Sequence, residues 1–169
     1  MPGPAALVMA LVISGMNTDR FVFEGFLPRS GRERAERIAE ISAQRSTSIL
    51  YEAPHRVART VTDLAAACGP ERRVALCREL TKLHEEVWRG TLTEAADHLR
   101  VREPIGEFVV VLEGAPAAEP TTDDEVSALL RHALSIGMSK RDAAATVAAQ
   151  TGRPKREVYS LALTLPGAF

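Results

Sequence analysis

Up to Glu113, short apolar and β-branched runs alternate with segments of helical periodicity, and after Gly114 the strand-like runs stop. The run 107–113 is apolar enough to predict a strand at the centre of a sheet, buried on both faces. Four more runs predict strands separated by helices, at 21–27, 48–51, 73–78 and 86–91. This order predicts an α/β domain with a mixed five-stranded sheet and flanking helices.

The helical segments divide into two groups. The first group begins ahead of the first strand with 5–14, which is apolar nearly all round and therefore predicts a helix buried on most sides. After the strands, Thr122 and Glu125 have capping-box spacing, Ser139 can cap a second helix, and a third follows. Three short helices with tight turns predict a small helix-turn-helix domain. The predicted organisation is an α/β domain at 1–114, a linker at 115–121 and a helical domain at 122–169.

Composition narrows the class of protein. With 46% hydrophobic residues and a net charge of −1, the chain is globular, and any nucleic-acid surface must be a local patch. Cys68 and Cys77 predict buried free thiols, and no Cys/His cluster has zinc spacing, so no metal is expected. The apolar start lacks a basic n-region and is too short to cross a bilayer, which favours a cytoplasmic protein with no membrane contact.

The segment 78–86 (Arg-Glu-Leu-Thr-Lys-Leu-His-Glu-Glu) is the densest polar motif, with six ionisable residues out of nine. A plain hairpin would use Gly or Asn there, so the segment is either a solvated loop or a polar cluster that lines a cleft. In the second case Arg78 and Lys82 can hold phosphates, and Glu79 or His84 can accept a proton. The residues alone do not identify the general base.

Two other segments suggest a ligand site. The segment 51–56 (Tyr-Glu-Ala-Pro-His-Arg) runs from a strand directly into a helix start, and ligands of open α/β sheets lie beyond such strand ends. At 2–6 (Pro-Gly-Pro-Ala-Ala), small residues at a helix start let a ligand approach the backbone, although a hinge explains them equally well. No Gly-rich phosphate loop is present.

Five motifs in this order resemble the ribosomal RNA small-subunit methyltransferase I family, which belongs to the tetrapyrrole-methylase-like (class III) S-adenosylmethionine (SAM) methyltransferases. The residues that carry the resemblance are Pro2-Gly3-Pro4, Thr18 to Pro28, Leu50 to Arg56, Arg78 to Glu86 with Arg89 to Leu92, and Gly106 to Gly114. The helical tail resembles the C-terminal helix-turn-helix extension of that family. The resemblance therefore covers nearly the whole chain.

The resemblance implies residue roles by position. The expected SAM contacts are Pro4, Ala5, Ala6, Tyr51, Glu52, Ala53, Gly90 and Thr91. The family usually has Ser where this chain has Ala5, so one hydroxyl contact is not expected here. The candidates for substrate handling are Glu79, Lys82, His84 and Glu85. Five basic residues cluster around the last two helices and predict either an rRNA-docking patch or a solvated helix surface, namely Lys140, Arg141, Arg153, Lys155 and Arg156. Arg56 is a further expected RNA contact.

The resemblance also implies a reaction and partners. The family transfers a methyl group from SAM to the ribose 2′-hydroxyl of a cytidine in small-subunit (16S) rRNA, so rRNA or a ribosomal subunit is the expected partner. In that family Pro-Gly-Pro follows an N-terminal SAM-binding domain, and here it begins at Pro2. We therefore expect that domain to be missing and the chain alone to be inactive. A homodimer is expected by analogy.

Two alternatives remain open. One is a related methylase that acts on a tetrapyrrole or a diphthamide precursor, against which the basic tail and the Leu83-His84-Glu85-Glu86 segment argue. The other is a non-catalytic RNA-binding or dimerisation module, which a chain with half a SAM cleft would suit.

Overall fold

The computed structural model describes residues 5–101, 104–117 and 121–165. The chain folds as two compact units, Met1–Ala117 and Ala118–Phe169. The elements of the first unit are, in chain order, α1 (Ala6–Ser14), β1 (Phe21–Phe26), α2 (Gly31–Ala43), β2 (Thr47–Glu52), α3 (Pro54–Cys68), β3 (Arg73–Arg78), β4 (Glu86–Thr91), α4 (Leu92–Val101) and β5 (Phe108–Leu112). The predicted mixed five-stranded sheet with flanking helices is confirmed.

The strands are arranged in the order β1-β2-β5-β3-β4. Only β1 and β2 are parallel to each other, and the remaining neighbours are antiparallel. Glu52 and Arg78 both pair with Phe108, and Arg78 also pairs with Glu86. These four residues therefore lie at the ends of neighbouring strands, on one side of the sheet that we call the Glu52 edge.

Both faces of the sheet are covered, and β5 is buried along its whole length, as its composition predicts. Val110 and Leu112 point to the side of α3 and α4, where they join a core with Leu64. Val109 and Val111 point to the opposite face and pack against α1. Full burial of each such side chain contributes roughly 1.5–3 kcal/mol, so the alternation along β5 fixes its register.

Helix α1 differs from its prediction. Ala10 and Leu11 are buried against the sheet, but Val8 is 48% and Val12 68% exposed. A helix that lies on a flat sheet buries only the side that touches it, so an apolar helix need not be buried on most sides. The helix ends at Gly15, where φ is +76°, as predicted.

Both cysteines are free, and Cys77 is buried in the core beneath α1, whereas Cys68 is half-buried at the end of α3. Burial raises the pKa of both thiols, that of Cys77 to about 11. Both thiols are therefore protonated at neutral pH and are poor nucleophiles.

The second unit consists of α5 (Asp123–Ser135), α6 (Lys140–Thr151) and α7 (Lys155–Thr164), packed around a core that includes Val126, Leu130 and Val147. The predicted capping box is present, since Thr122 and Glu125 bond each other's backbone amides at the start of α5. Ser139 caps α6 as predicted. Across the described residues of both units, every helix is too short or too polar to cross a membrane.

Candidate functional site

The Glu52 edge brings together two polar segments that are far apart in the sequence. The corner between β2 and α3 begins at Glu52, and the loop between β3 and β4 begins after Arg78. Only β5 lies between the two strands, so their ends are about 10 Å apart at the usual strand spacing. The sequence predicts each segment as polar and close to a ligand, but only the sheet order makes them neighbours.

The carboxylate of Glu52 is fully buried at this corner. Thr60 donates a hydrogen bond of 2.7 Å to one oxygen, and the other lies 3.2 Å from Nε of Arg56 and accepts the amide N–H of Ala53 at 3.0 Å. Every acceptor contact comes from within the fold, so the carboxylate orders the strand-to-helix corner. Both oxygens of the predicted SAM contact Glu52 are therefore engaged by Ala53, Arg56 and Thr60.

A buried arginine extends this network. Arg34, only 4% exposed, donates to Thr60 at 3.1 Å, to Asp63 at 2.7 and 3.0 Å, and to the carbonyl of Pro28 at 3.0 Å. Arg56 donates to the carbonyl of Leu27 at 2.6 Å. Arg56, which the sequence assigns to RNA binding, is thus mainly a structural link between α3 and the end of β1.

Tyr51 and Ala53, the other predicted residues at this corner, present mainly surface for contact. Tyr51 is half-buried, and its ring meets those of Phe23 and Phe26 edge-on, with centroids 4.9 and 5.8 Å apart. Ala53 precedes the first turn of α3, its carbonyl accepts the amides of Arg56 and Val57, and its own amide bonds Glu52. Tyr51 and Ala53, which the sequence assigns to SAM, therefore present ring and backbone surface at this corner.

The loop between β3 and β4 is held in one shape by three charged side chains. Nζ of Lys82 lies 3.0 Å from Oε1 of Glu79 and 3.0 Å from Oε2 of Glu107. The same oxygen of Glu79 accepts the amide of Glu107 at 2.8 Å. Glu79 and Thr81 have positive φ angles of 49° and 67°, which non-glycine residues adopt only where the surroundings impose them.

These contacts decide which groups can exchange protons. The amide of Glu107 and then the ammonium of Lys82 lower the pKa of Glu79, and the two carboxylates raise the pKa of Lys82. Lys82 is therefore a permanent cation near neutral pH and cannot act as a base, while Glu79 is a weakened one.

The other two candidates of this loop differ from each other. Glu85 accepts the amide of Thr81 at 2.7 Å, so its carboxylate helps to hold the loop. His84 is exposed beside Leu83, which is 92% exposed at the tip of the loop. Among the candidate bases, His84 is the one whose side chain makes no hydrogen bond within the described residues.

Gly90 and Thr91 lie away from the Glu52 edge. They pair with Val74 and Arg73 at the opposite edge of the sheet, about 20 Å from Ala53 by strand spacing and rise. Thr91 instead starts α4, with its amide donating to Glu94 at 2.8 Å and its hydroxyl accepting the amide of Glu94. The structure thus does not bring these two residues together with the corner.

The start of α1 completes the predicted SAM contacts. Ala5 and Ala6 are exposed there, and Pro4 lies outside the described residues.

A small cleft beside the Glu52 edge is lined by Arg78 and Glu86 of the predicted polar segment, together with Trp88 and His98, which were not predicted. Trp88 and His98 stack at 5.1 Å in its lining, and Arg78 pairs with Glu86 at 3.0 Å. Nε of Arg78 is buried without a hydrogen-bond partner among the described residues. The spacing of Trp88 and His98, on a strand and the following helix, gives no sequence signal for this contact.

In the helical unit, two of the predicted RNA contacts serve the fold. Nζ of Lys140 donates to the carbonyl of Leu165 at 2.7 Å, and Arg153 pairs with Asp123 and with Glu157. The remaining three basic residues are exposed, namely Arg141, Lys155 and Arg156.

Comparison with known proteins agrees with this architecture. The sequence profile of the tetrapyrrole (corrin/porphyrin) methylases matches residues 1–96, and that of the RsmI C-terminal HTH domain matches residues 120–166. The first match spans more than half of the chain, so this chain belongs to the tetrapyrrole methylase family. That family consists of methyltransferases and implies a methyl donor of the SAM type.

Curated relatives make the resemblance more specific. Proteins named ribosomal RNA small subunit methyltransferase I are 42% identical in Synechocystis sp., 38% in Halalkalibacterium halodurans and 40% in Mycobacterium tuberculosis. The matches cover 98%, 95% and 96% of this chain, which spans 60%, 57% and 56% of the respective relatives. The predicted family resemblance is confirmed. The prediction that the chain is only the C-terminal portion of the protein is not confirmed by these matches.

Solved structures support the fold. A cobalamin biosynthetic enzyme, cobalt precorrin-4 methyltransferase, superposes with a TM-score of 0.54 at 13% identity, covering 66% of this chain and 50% of its own. The methyltransferase CobJ superposes with a TM-score of 0.52 at 17% identity, covering 68% and 49%. At such identities the likeness confirms the fold alone.

Proposed function

We propose that this chain takes part in the transfer of a methyl group from SAM to the ribose 2′-hydroxyl of a cytidine in small-subunit rRNA, in the cytoplasm. The names of the relatives in three bacteria support an rRNA substrate, and so does the match of the helical unit to the RsmI C-terminal domain. The ribose position and the cytidine come from the family resemblance of the sequence motifs.

The observation that carries this proposal is the placement of a fixed cation next to a strand-to-helix corner. Lys82 is held by Glu79 and Glu107 on the same sheet edge as Tyr51 and Ala53. A methyl transferase must orient its acceptor and donor in line, and rigid groups on strand ends do this better than mobile ones.

Each group then has a chemical role. When bound, SAM supplies the methyl group of its sulfonium, and the rest of the molecule is then a neutral thioether. Tyr51 and Ala53 would hold its adenosyl part by surface contact, while the Lys82 ammonium orients the ribose and its phosphate. His84 would accept the proton of the ribose hydroxyl, so that the ribose oxygen could take the methyl group that SAM supplies.

The test is a methylation assay in which the chain is supplemented with the expected N-terminal SAM-binding domain, labelled SAM and small ribosomal subunits that lack the modification, with the product nucleoside identified by mass spectrometry. Lys82→Ala is expected to lower the rate about 100-fold and to weaken rRNA binding, whereas Leu83→Ala in the same loop leaves both within threefold. Unchanged rate and affinity in Lys82→Ala would overturn the role of Lys82. A labelled base in place of a labelled ribose would overturn the 2′-hydroxyl assignment.

The expectation that the chain is inactive alone is tested in the same way. We expect no methylation and weak SAM binding by calorimetry from this chain without other proteins. Turnover by the purified chain would overturn that expectation and leave the proposed reaction intact.

We also propose a homodimer. Val8 and Val12 on α1 and Phe23 and Phe26 on β1 leave apolar surface exposed on one side of the first unit. Such a patch suits a second copy of the same chain. Light scattering coupled to size exclusion should give twice the chain mass, and Val12→Glu should give the monomer mass; a monomeric wild-type chain would overturn the proposal.

A further inference from the structure

A basic cleft lies where α3 begins, on the side of the sheet that α2 and α3 cover. Its lining consists of Arg29, Arg34, His55, Arg56, Arg59 and Thr60. Of this group, only Arg56 is an RNA contact expected from the sequence. Because Arg29 follows the end of β1 and His55 follows the end of β2, and these strands are parallel, the cleft adjoins the Glu52 edge.

The floor of the cleft is rigid. Arg34 is 4% exposed and donates to Asp63, Thr60 and the carbonyl of Pro28. The side chain of Arg56 is 20% exposed and is fixed by the buried Glu52. Two guanidinium groups are thus held in place before any ligand arrives, which lowers the entropy cost of binding an anion.

The rim of the cleft is open. Arg29 and His55 are exposed, and Arg29 has no ion pair among the described residues. Arg59 is 63% exposed, and its Nε lies 3.7 Å from Asp63, which Arg34 already engages at 2.7 Å. The rim arginines therefore keep donors that can turn towards an incoming ligand.

The charge of the cleft is opposite to that of the chain. Four arginines face the two carboxylates of Glu52 and Asp63, which leaves two positive charges with His55 neutral, in a chain of net charge −1. The N-terminal end of α3, a helix of 15 residues, adds the positive end of its dipole.

We propose that this cleft binds the phosphodiester backbone of the RNA, next to the edge at which the ribose is presented. The inference rests on the proposed function and adds a second contact surface to it. The paired N–H donors of a guanidinium group match the geometry of phosphate oxygens. Fixed arginines at the bottom of the cleft and exposed ones at its rim suit an RNA strand that binds from solvent. Arg34 and Arg56 position the site, and Arg29, His55 and Arg59 make the contacts.

The experiment measures binding of a 20-nucleotide single-stranded RNA to the whole chain by fluorescence anisotropy, from about 50 to 300 mM salt. The test variant is Arg29→Ala/Arg59→Ala, and the control is Arg20→Ala/Arg73→Ala. The control removes the same charge at the opposite edge, where Arg20 precedes β1 and Arg73 pairs with Glu113. The control is also matched to the test variant in the ion pairs that are lost. Each double variant removes one arginine that forms an ion pair and one that has none among the described residues.

We expect the test variant to bind about tenfold more weakly at low salt and to lose about 1.4 from the slope of log Kd against log salt. The control should stay within threefold with its slope unchanged. Equal affinities of the two doubles would overturn the cleft as an RNA site and leave the proposed function standing. A wild-type chain without RNA affinity would overturn both.

A parallel titration with inorganic phosphate distinguishes binding of the RNA backbone from binding of free phosphate. The wild-type chain could saturate with phosphate near 1 mM, and Arg29→Ala/Arg59→Ala could abolish this saturation while leaving the RNA affinity unchanged. That result would assign the cleft to free phosphate and overturn the proposal. Phosphate that fails to compete with RNA at this concentration supports a backbone contact.

Discussion

The hydroxyl of Thr60 donates a 2.7 Å hydrogen bond to the carboxylate of Glu52, which is buried eight residues earlier at the end of β2. This bond joins the last residue of a strand to the second turn of the helix that follows. Together with Arg56, it closes the corner on which Tyr51 and Ala53 are presented.

The first prediction concerns this corner. Glu52→Ala leaves Arg56 and Thr60 without their acceptor and should lower the free energy of unfolding by about 3 kcal/mol. Trp88, the single tryptophan, lies in the first unit and reports its unfolding in urea by fluorescence. The matched control is Glu36→Ala, which removes an exposed ion pair with Arg32 and should cost less than about 0.5 kcal/mol. Similar losses in the two variants would contradict a structural role for Glu52.

The second prediction concerns the pKa of Glu79. Lys82→Gln should raise it only part of the way to its ordinary value, because the amide of Glu107 is the larger cause of the lowered pKa. Carbon-13 NMR of the carboxyl group during a pH titration measures the change. Glu125 is the internal control, since its pKa is lowered by Thr122 and should not respond.

The sign of the pH dependence follows from this shift. Folding lowers the pKa of Glu79, so its contribution to stability is present above the ordinary pKa and is lost as the pH falls through the lowered value. The difference in stability between wild type and Lys82→Gln should therefore shrink in acid. A difference that grows as the pH falls would contradict the assigned contact.

The third prediction concerns the approach of Gly106 to this loop. Its φ is +88°, and an added Cβ would lie 2.5 Å from Cγ of Glu79. Gly106→Ala should cost about 1–2 kcal/mol from the left-handed backbone and should also displace Glu79, which returns its pKa towards the ordinary value. The control is Gly15→Ala, where φ is +76° and the space is open. It should show the stability loss without any change at Glu79; a response of Glu79 in both variants would show that the displacement is not local.

The fourth prediction separates binding from folding in the helical unit. Arg141→Ala/Lys155→Ala/Arg156→Ala removes exposed charges and should weaken RNA binding about tenfold with a slope smaller by about 2, at unchanged melting temperature. Arg153→Ala breaks the pairs with Asp123 and Glu157 and should lower the melting temperature seen by circular dichroism. The reverse pattern, with Arg153 affecting only RNA binding, would reassign that residue to the RNA surface.

The elements of this protein and their order are encoded in its local sequence pattern. Periodicity and turn residues placed the strands Arg73–Arg78 and Glu86–Thr91 at their observed bounds. The capping box of Thr122 and Glu125 was predictable too, because its contacts are three residues apart. Interactions of short sequence separation are encoded in the pattern itself.

Which residues share a site depends instead on the strand order and on packing between distant segments. Glu52 and Gly90 belong to motifs of equal strength, but the strand order and the antiparallel register place them at opposite edges of the sheet. Arg56, an expected RNA contact, is partly buried and forms a structural link with Glu52. Packing of α3 against the segment after β1 also brings Arg29 and Arg59 together with Arg56 in one cleft. These outcomes depend on contacts about 30 residues apart, such as those of Arg56 and Arg59 with the segment that follows β1, and a local pattern carries no information on partners that distant.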